Sequence, residues 1–361
     1  MKNISFLVLD ITLKGGIERF VVNLANQLAI RGYCVKIFSF HKSNSNVMYE
    51  LNPMVRIKYI TNYKFRAFFY KFTTLYSSIK LLRLIKNDLP NSIYISVSPI
   101  IVILLCIFKK RLLPSIIASE HSSYFAHELI VRTFRKWSYK KVKEVVTQTN
   151  IGKTCFYNDG ICAKKIPNFV TVFENSSQWE SSDLSDKPFV CLSVARFVEV
   201  KQLDHFIEIA RIVNEKKIEV IFYLVGSGPL EQSLRDLIKK YKLEHVFYIF
   251  SATANIDYFY SCASAYVVTS SSEAFPMTII EALSFSLPVL SYDQLDGPKE
   301  IIINKYNGFL CKQNSPSCVA HKIIELVHSS ETMRLLKSNA LESARKYHHQ
   351  ALVNDWVEVL K

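Results

Sequence analysis

The sequence predicts an α/β protein with two doubly wound, parallel-sheet (Rossmann-like) domains that face each other across a cleft. Three observations support this fold class. Apolar segments of strand length alternate with amphipathic segments of helix length along nearly the whole chain, which is typical of parallel sheets covered by helices. A polar segment in the middle interrupts the alternation. The chain has 361 residues, which is too many for one hydrophobic core and suits two domains.

The first alternating series, residues 1–170, is predicted to form the N-terminal Rossmann-like domain. Its helices show apolar residues at helical spacing, as in "IERFVVNLANQLAIRG", where Gly32 marks the end of the helix. Its predicted strands are 4–9, 35–40, 55–60, 92–98, 115–120 and 144–149.

The second series follows the Ser- and Asp-rich segment "TVFENSSQWESSDLSDKP", residues 171–188, which we interpret as an interdomain linker. It predicts a C-terminal Rossmann-like domain over residues 189–345. A C-terminal helix over residues 346–361 is expected to pack back on the N-terminal domain. The predicted strands of this series are 189–195, 218–225, 246–250, 265–270, 288–292 and 307–312.

The charge of the chain is unevenly distributed. The formal net charge is +14, yet residues 1–170 contain 26 Lys and Arg against 8 Asp and Glu, and the remainder contains 19 against 23. A basic half predicts an anionic partner, which could be nucleic acid, a lipid surface or a phosphate-bearing substrate. The aromatic and basic segment 62–86 fits an anionic membrane surface. It equally fits a core helix with a solvated basic edge.

Several classes of protein are disfavoured by the sequence. None of the eight cysteines has C-x-x-C spacing, so neither a zinc site nor a redox motif is indicated, and a reducing cytosol is the simpler compartment. The sequence has no secretory signal. The longest apolar run, residues 93–108, is broken by Pro99 and is shorter than the roughly 20 residues of a membrane span. It predicts a buried strand followed by a buried helix.

Two motifs in the first series follow predicted strands. Gly15 and Gly16 in "KGGIERF" would allow a close approach of ligand and backbone at a helix N-terminus. A flexible loop is the alternative. His121 in "IASEHSSYF" comes just past an apolar strand, where it could act near neutral pH or hydrogen-bond a substrate. A structural histidine is the alternative there.

The second series carries cations and glycines at the same kind of position. Arg196 and Lys201 in "SVARFVEVKQLD" follow the first strand and suit a pyrophosphate, the arginine by its fork and the lysine as a point charge. Gly226 and Gly228 in "YLVGSGPLEQSL" would permit a tight turn near a ligand. The alternatives are two surface cations and an ordinary strand-to-helix turn.

A pair of glutamates surrounds the start of a predicted helix in "SSSEAFPMTIIEAL". Glu273 lies in the strand-to-helix loop and Glu281 lies in the helix. Carboxylates accept hydrogen bonds, so both would suit the hydroxyls of a sugar or a ribose. The alternative is a helix-capping Glu273 and a solvated Glu281. No D-x-D motif occurs, so no metal is predicted, and a leaving diphosphate would need cations and helix N-termini instead.

Taken together, these motifs resemble the retaining glycosyltransferases of family four, which have the GT-B fold. The resemblance covers essentially the whole chain. Its most specific element is the E-x7-E pair, and its subclass resembles bacterial surface-polysaccharide enzymes. The matching segments are "GGIER", "EH", "IPNFV", "ARFVEVKQLD", "VGSGP", "SSSEAFPMTIIEALSFSLPVLSYD" and "DGPKEIIINKYNGFL".

The resemblance implies a role for each site residue. Glu281 would hold the ribose, and Arg196 and Lys201 would bind the diphosphate as it leaves. Glu273 would face the donor sugar and His121 would contact it near the reacting carbon. The other implied donor-binding residues are the glycines Gly15, Gly16, Gly226 and Gly228 and the segment Ala274, Phe275, Pro276 and Met277.

The family usually has glycine where Ala274 stands, and often has Ala-x-Gly-x-Pro where this chain has "SFSLP". We expect Ala274, Phe285 and Ser286 to narrow the space beside the donor sugar.

The implied reaction is metal-independent transfer from a UDP-sugar, with no cofactor, to a polyprenyl-diphosphate-linked glycan acceptor. The expected partners are the donor, the lipid-linked acceptor and an anionic membrane, and no nucleic acid. The expected location is cytoplasmic, peripheral on the inner face of the bacterial plasma membrane. Two other functions stay open: a GT-B sugar-nucleotide epimerase, and a degenerate module that binds nucleotide without catalysis.

Overall fold

The computed structural model describes residues 2–64, 70–84, 92–108, 110–170, 188–253 and 255–361. Almost all of the predicted linker, and part of the aromatic segment 62–86, lie outside the described residues. The chain divides into two units. The first comprises Met1–Phe169 and His349–Lys361, and the second comprises Val170–His348.

The first unit is a seven-stranded sheet with helices between its strands. All neighbouring strands are parallel, in the order β3-β2-β1-β4-β5-β6-β7. The strands are β1 (Asn3–Val8), β2 (Cys34–Ser39), β3 (Arg56–Tyr59), β4 (Ser92–Ser96), β5 (Ile116–Glu120), β6 (Glu144–Thr147) and β7 (Ala163–Lys165). The helices are α1 (Gly16–Ile30), α2 (Tyr70–Leu84), α3 (Pro99–Phe108), α4 (Leu129–Tyr139) and α5 (Asn150–Asn158), with a 3-10 helix at Lys110–Ser115.

The second unit is a six-stranded parallel sheet in the order β10-β9-β8-β11-β12-β13. Its strands are β8 (Phe189–Arg196), β9 (Val220–Ser227), β10 (Phe247–Ser251), β11 (Ala265–Val268), β12 (Val289–Tyr292) and β13 (Gly308–Cys311). Its helices are α6 (Leu203–Glu215), α7 (Glu231–Lys240), α8 (Ile256–Cys262), α9 (Met277–Ser284), α10 (Pro298–Ile301), α11 (Pro316–His328) and α12 (Ser330–Arg345).

The predicted strands are confirmed, and each begins and ends within two residues of its predicted bound. They were recognisable because strands buried on both faces of a parallel sheet are nearly continuous apolar runs. Strand β7 was not predicted, because its three residues include Lys164 and Lys165 and therefore form no such run. It lies at the edge of its sheet, where lysines are common.

The final helix, α13 (His349–Val359), belongs to the first unit although it follows the whole of the second in sequence. Trp356 is fully buried and its ring lies 5.7 Å from that of Phe20 on α1. Lys2 donates to the backbone oxygen of Leu360 at 3.0 Å. Because an indole of this size buries a large apolar area, this contact holds the C-terminal segment against α1.

No helix in the described ranges is both long enough and apolar enough to cross a bilayer. Helix α3, the most apolar segment of the chain, has 10 residues.

Helix α9 ends with Ser286 in the left-handed conformation, at φ 59°. The backbone N–H of Ser286 donates to Leu283 at 3.0 Å, and that of Leu287 donates to Ala282 at 3.0 Å. This hydrogen-bond pattern is a Schellman motif, in which glycine is preferred at the left-handed position because a Cβ is disfavoured there.

We expect Ser286→Gly to stabilise the protein by about 1 kcal/mol, since it removes the left-handed penalty of a side chain. Denaturant unfolding would measure the change. Ser284→Gly is the matched control, because Ser284 lies inside α9 and is expected to lose stability as a glycine. Equal effects of the two substitutions would contradict the prediction.

Candidate active site

The candidate site of the second unit lies where its strand order reverses. Strands β8 and β11 are neighbours in the sheet although two strands separate them in sequence. Ligands of such sheets bind outside the carboxyl ends of the strands at this point. Lys201 follows β8 in the short 3-10 helix Glu199–Lys201, and Glu273 lies in the loop after β11. Their side chains form an ion pair, with Lys201 Nζ 2.5 Å from Glu273 Oε1.

Neighbouring loops hold this ion pair in place. The Ser270 hydroxyl donates to Glu273 Oε1 at 2.6 Å, and the Thr269 hydroxyl donates to the backbone oxygen of Lys201 at 2.9 Å. Gln294, in the loop after β12, donates to the backbone oxygen of Ser270 at 2.6 Å. Three loops at the carboxyl edge of one sheet therefore fix a partly buried carboxylate–ammonium pair. Glu273 does not cap the helix, because its carboxylate is used by Lys201 and Ser270.

Arg196 is the last residue of β8 and its side chain is exposed. It pairs in register with Ser227 at the end of β9, between the two predicted glycines. Within the described residues, no hydrogen bond or ion pair is formed by its guanidinium. Arg196 and Lys201 thus lie at the same edge of the sheet, the arginine extending into solvent and the lysine ion-paired.

Gly226 and Gly228 are required for packing. A Cβ on Gly228 would lie 2.5 Å from the backbone oxygen of Phe197, and a Cβ on Gly226 would overlap the backbone oxygen of Ala195. The end of β9 therefore approaches the end of β8 too closely for any side chain. This packing explains both glycines without a ligand, and their predicted donor contact remains a prediction.

The start of α9 presents backbone rather than side chains. Pro276 occupies the N-cap position, and the side chains of Phe275 and Met277 are buried in the core. The ring of Phe275 packs edge-on against Tyr347 at 5.8 Å. Ala274 is half-buried. A ligand at this position would therefore meet the main chain, as the resemblance implies.

Glu281 is buried, with 3% of its surface exposed. The hydroxyl of Tyr260 on α8 donates to Glu281 Oε2 at 3.0 Å. The alternative of a solvated surface glutamate is therefore wrong. Because a buried carboxylate is costly unless it is hydrogen-bonded, Tyr260 is part of what allows Glu281 to lie there.

Phe285 and Ser286 lie at the opposite end of α9 from Ala274, and their effect on the space beside the donor sugar remains a prediction. The eight residues of α9 separate the two positions, which corresponds to roughly 12 Å along the axis. The ring of Phe285 instead stacks on Tyr260, with centroids 5.4 Å apart. Phe285 therefore supports the tyrosine that holds Glu281, and Ser286 ends the helix.

In the first unit, Gly15 and Gly16 lie between β1 and α1. Gly15 is the N-cap of α1 in an extended conformation, and a Cβ on it would lie 2.5 Å from Glu18 Oε2. A Cβ on Gly16 would have no heavy atom within 4 Å. Nothing in the packing of this unit therefore requires glycine at residue 16.

The contrast between Gly16 and Gly228 gives a direct test. We expect Gly228→Ala to lower the free energy of unfolding by roughly 1–3 kcal/mol through overpacking. Gly16→Ala should leave stability unchanged or slightly raised, because alanine is the better helix former. Thermal unfolding measures both. Loss of donor binding in folded Gly16→Ala would indicate a ligand contact, whereas loss of stability in that variant would contradict the prediction.

His121 follows β5 and uses both ring nitrogens within the first unit. Gln148 donates from Nε2 to Nδ1 of His121, and to Asn168 Oδ1 at 2.7 Å. Nε2 of the ring lies 2.8 Å from the Ser119 hydroxyl, so Nε2 carries the proton and donates. The ring also packs 4.3 Å from that of Phe20. Burial lowers the pKa of His121 to about 4, against an opposing rise from the carboxylate of Glu120.

His121 is therefore neutral at pH 7. This argues against proton transfer near neutral pH, and the use of both ring nitrogens by Gln148 and Ser119 fits the structural alternative. Contact with the donor sugar remains a prediction.

The lowered pKa predicts a pH dependence of stability. In the unfolded chain a histidine titrates near 6.5, so between about pH 6.5 and pH 4 the unfolded state binds more protons and stability falls as pH falls. We expect His121 to contribute about 3 kcal/mol to that loss. Urea unfolding across this range should give a smaller pH slope for His121→Asn than for wild type. An unchanged slope would contradict the prediction, and exposed His245→Asn is the control.

Three candidate site residues were not found from the sequence: Ser270, Gln294 and Tyr260. Ser270 is one of three consecutive serines, and nothing local distinguishes it. Gln294 and Tyr260 come from elements distant in sequence, and only the fold brings Gln294 to the backbone of Ser270 and Tyr260 to Glu281. The described part of the chain contains no group of three or more His, Cys, Asp or Glu side chains that could hold a metal ion.

Comparison with known proteins identifies relatives over the whole chain. Residues 175–343 match the family model described as "Glycosyl transferases group 1". An uncharacterized glycosyltransferase of Haemophilus influenzae is 26% identical over 367 residues, covering 100% of both chains. The GalNAc-alpha-(1->4)-GalNAc-alpha-(1->3)-diNAcBac-PP-undecaprenol alpha-1,4-N-acetyl-D-galactosaminyltransferase of Campylobacter jejuni is 24% identical over 363 residues, covering 100% of this chain and 98% of that protein.

Solved structures show the same fold. A TarM variant of S. aureus in complex with Fondaparinux, alpha-GlcNAc-glycerol and UDP aligns with a TM-score of 0.83 at 15% identity, over 100% of both chains. The two parallel-sheet units are those of GT-B glycosyltransferases, as the sequence predicted. The family match over residues 175–343, the full-length relatives and the fold agree in one respect: this chain is similar to the group 1 glycosyltransferases.

Proposed function

We propose that this protein is a retaining, metal-independent glycosyltransferase. It moves a hexose or N-acetylhexosamine from a UDP-sugar to a polyprenyl-diphosphate-linked glycan, in bacterial O-antigen, capsule or related polysaccharide synthesis. The reaction takes place at the inner face of the plasma membrane, where the basic first unit meets anionic lipid.

The observation that carries this proposal is the Lys201–Glu273 ion pair at the reversal of the second sheet. A carboxylate there can accept hydrogen bonds from sugar hydroxyls, and an ammonium beside it can neutralise a phosphate. Arg196 adds a second cation, whose planar fork suits a diphosphate. A diphosphate leaving group thus has two cations within one edge of the sheet, and its sugar has an acceptor of hydrogen bonds.

The proposed reaction breaks the bond between the anomeric carbon of the sugar and the oxygen of the β-phosphate. A bond forms on the same face between that carbon and the acceptor hydroxyl oxygen, and the hydroxyl proton passes to the departing phosphate. Lys201 and Arg196 stabilise the negative charge that develops on the diphosphate. Glu273 orients the sugar, and no protein side chain acts as general base.

The names of similar proteins support the donor and acceptor classes. The Campylobacter relative acts on an undecaprenol diphosphate-linked glycan by its name, and the TarM structure was obtained with UDP. A poly(ribitol-phosphate) alpha-N-acetylglucosaminyltransferase of Staphylococcus aureus is 25% identical over 54% of this chain. Uridine nucleotides and anionic acceptors are therefore the first to test.

The deciding experiment is calorimetric binding of UDP, GDP and ADP in excess EDTA, with wild type and Glu281→Ala. We expect UDP to bind selectively, to bind in EDTA, and to bind more weakly to the variant. Transfer from UDP-sugars to polyprenyl-diphosphate-linked glycans would then be measured, with the anomeric configuration of the product read by NMR. Selective binding of GDP or ADP would overturn the donor, UDP binding without sugar transfer would favour the degenerate module, and the absence of all nucleotide binding would overturn the proposal.

A further inference from the structure

Helix α4 has its polar and apolar faces reversed relative to a helix on the surface of a soluble protein. Arg135 is 1% exposed, and Ser138 and Tyr139 beside it are also buried. On the opposite side, Leu129 is 75% exposed and Ile130 is 69% exposed. A surface helix normally buries its apolar stripe, so this orientation requires a specific cause.

The cause is a buried ion pair that sets the rotation of α4. Arg135 donates to Glu120 Oε2 at 3.2 Å and to the backbone oxygen of Tyr124 at 2.9 Å. Tyr139, one turn further, donates to the same Glu120 oxygen at 3.2 Å. A buried charge left without its partner is costly. The pairing therefore fixes the arginine side of α4 inward and its apolar side outward.

The outward side forms one surface, which we call the α4 face. It consists of the exposed apolar residues Leu129, Ile130, Phe134 and Trp137 of α4, and Phe125 in the preceding loop is also exposed. Exposed hydrophobic residues in one cluster mark an interaction site. Helix α3, which packs against α4, also ends with two exposed apolar residues, Ile107 and Phe108.

The charges around the α4 face select its partner. Leu129–Lys143 contains six lysines and arginines and is preceded by Glu128. Arg135 and Lys136 are paired with Glu120 and Asp159, so Arg132, Lys140, Lys141 and Lys143 supply the basic excess. Lys141 Nζ lies 3.7 Å from the centre of the Trp137 ring, and Arg132 lies 5.4 Å from that of Phe125. Lysines and arginines beside aromatic and aliphatic side chains are the composition of helices that lie in an anionic membrane interface.

We propose that the α4 face is the surface by which this protein docks on an anionic lipid bilayer. Leu129, Ile130, Phe134 and Trp137 enter the boundary between headgroups and acyl chains, and the neighbouring cations contact lipid phosphates. The aromatic segment 62–86, the alternative that the sequence suggests, lies partly outside the described residues. The biological purpose of this docking rests on the proposed function. The vesicle-binding test needs neither donor nor acceptor.

The test is flotation of the full chain with vesicles of phosphatidylcholine, with or without phosphatidylglycerol, at low and high ionic strength. We expect binding that requires phosphatidylglycerol and weakens with salt. Leu129→Gln with Ile130→Gln should lower the partition coefficient about ten-fold or more, since it removes two inserted side chains at unchanged charge. The matched control is Ile30→Gln with Met54→Gln, which removes two exposed aliphatic residues of the same unit.

A second measurement locates the contact. Brominated acyl chains should quench the tryptophan emission of wild type, and Trp137→Phe should lose most of that quenching. The inference is overturned if wild type does not bind anionic vesicles, or if the Leu129/Ile130 variant binds as wild type does. It is also overturned if both double variants lose binding equally, or if the Leu129/Ile130 variant converts a dimer to a monomer without changing vesicle binding. Nucleotide binding measured in parallel distinguishes failure of docking from failure of the proposed reaction.

Discussion

Glu273→Gln and Lys201→Met should each lower sugar transfer by on the order of 10²–10³-fold, the usual effect of removing one preorganised group that stabilises charge or position in the transition state. The side chains contact each other, so we expect the double variant to lose little more than the worse single variant. Initial rates at saturating donor, measured with the acceptor fixed, provide the comparison.

Nucleotide binding separates the two roles in that experiment. Glu273→Gln should retain the UDP affinity of wild type, because its proposed contact is the sugar, whereas Lys201→Met should weaken UDP binding. Glu325→Gln is the control, because it removes an exposed ion pair with Lys322 on α11 in the same unit and should leave the rate unchanged. Losses in the double variant equal to the product of the single losses would show that the residues act independently.

Replacing Arg135 by Leu should lower the free energy of unfolding of the first unit by about 3–5 kcal/mol, because it leaves Glu120 buried without its cation. The carboxylate of Glu120 is destabilised by burial, but hydrogen bonding to His127 and the charge of Arg135 outweigh this effect and lower its pKa. Denaturant unfolding followed by tryptophan fluorescence would measure the loss, because Trp137 and Trp356 both belong to this unit.

The matched control for that substitution is Arg111→Leu. Arg111 lies in the 3-10 helix of the same unit and is exposed, so its replacement should change stability by about 0.5 kcal/mol or less. Equal effects of the two arginines would contradict the role of the buried pair. If folded Arg135→Leu binds vesicles less well than wild type, a rotation of α4 would explain the loss. Arg111→Leu also removes one positive charge, so a larger loss in Arg135→Leu than in Arg111→Leu would show that the orientation of α4 matters beyond charge.

The sequence by itself determined the strand-and-helix plan of both units. Every residue of strands such as β4 and β12 is buried. Such strands are mostly apolar, so they could be predicted from the sequence without a structure. Glycine and proline positions located the loops, and the carboxyl ends of the strands are where α/β sheets bind ligands. The order of predicted strands and loops along the sequence was enough to place Arg196, Lys201 and Glu273 just at or after strand ends.

The tertiary structure decided which side chains contact each other across those loops. Glu273 and Lys201 are 72 residues apart, and only the adjacency of β8 and β11 brings them together. Tyr260 on α8 reaches Glu281 on α9 across 21 residues, because the fold packs the helices on either side of β11 in sequence against each other. Sequence spacing carries no information on contacts of this kind, because they depend on strand order. The stacking of Phe285 on Tyr260 is likewise a contact that the sequence does not show.

Helix α4 is the clearest case of a feature that the sequence alone could not decide. Its sequence contains both arginines and large apolar residues, and helical periodicity defines the two sides without stating which one faces inward. The ordinary rule would bury Leu129, Ile130 and Trp137. The opposite orientation is imposed by Glu120, a carboxylate at the end of β5 that requires a buried cation and obtains it from Arg135. The sequence supplied the two faces of the helix, and one buried charge from a neighbouring strand decided between them.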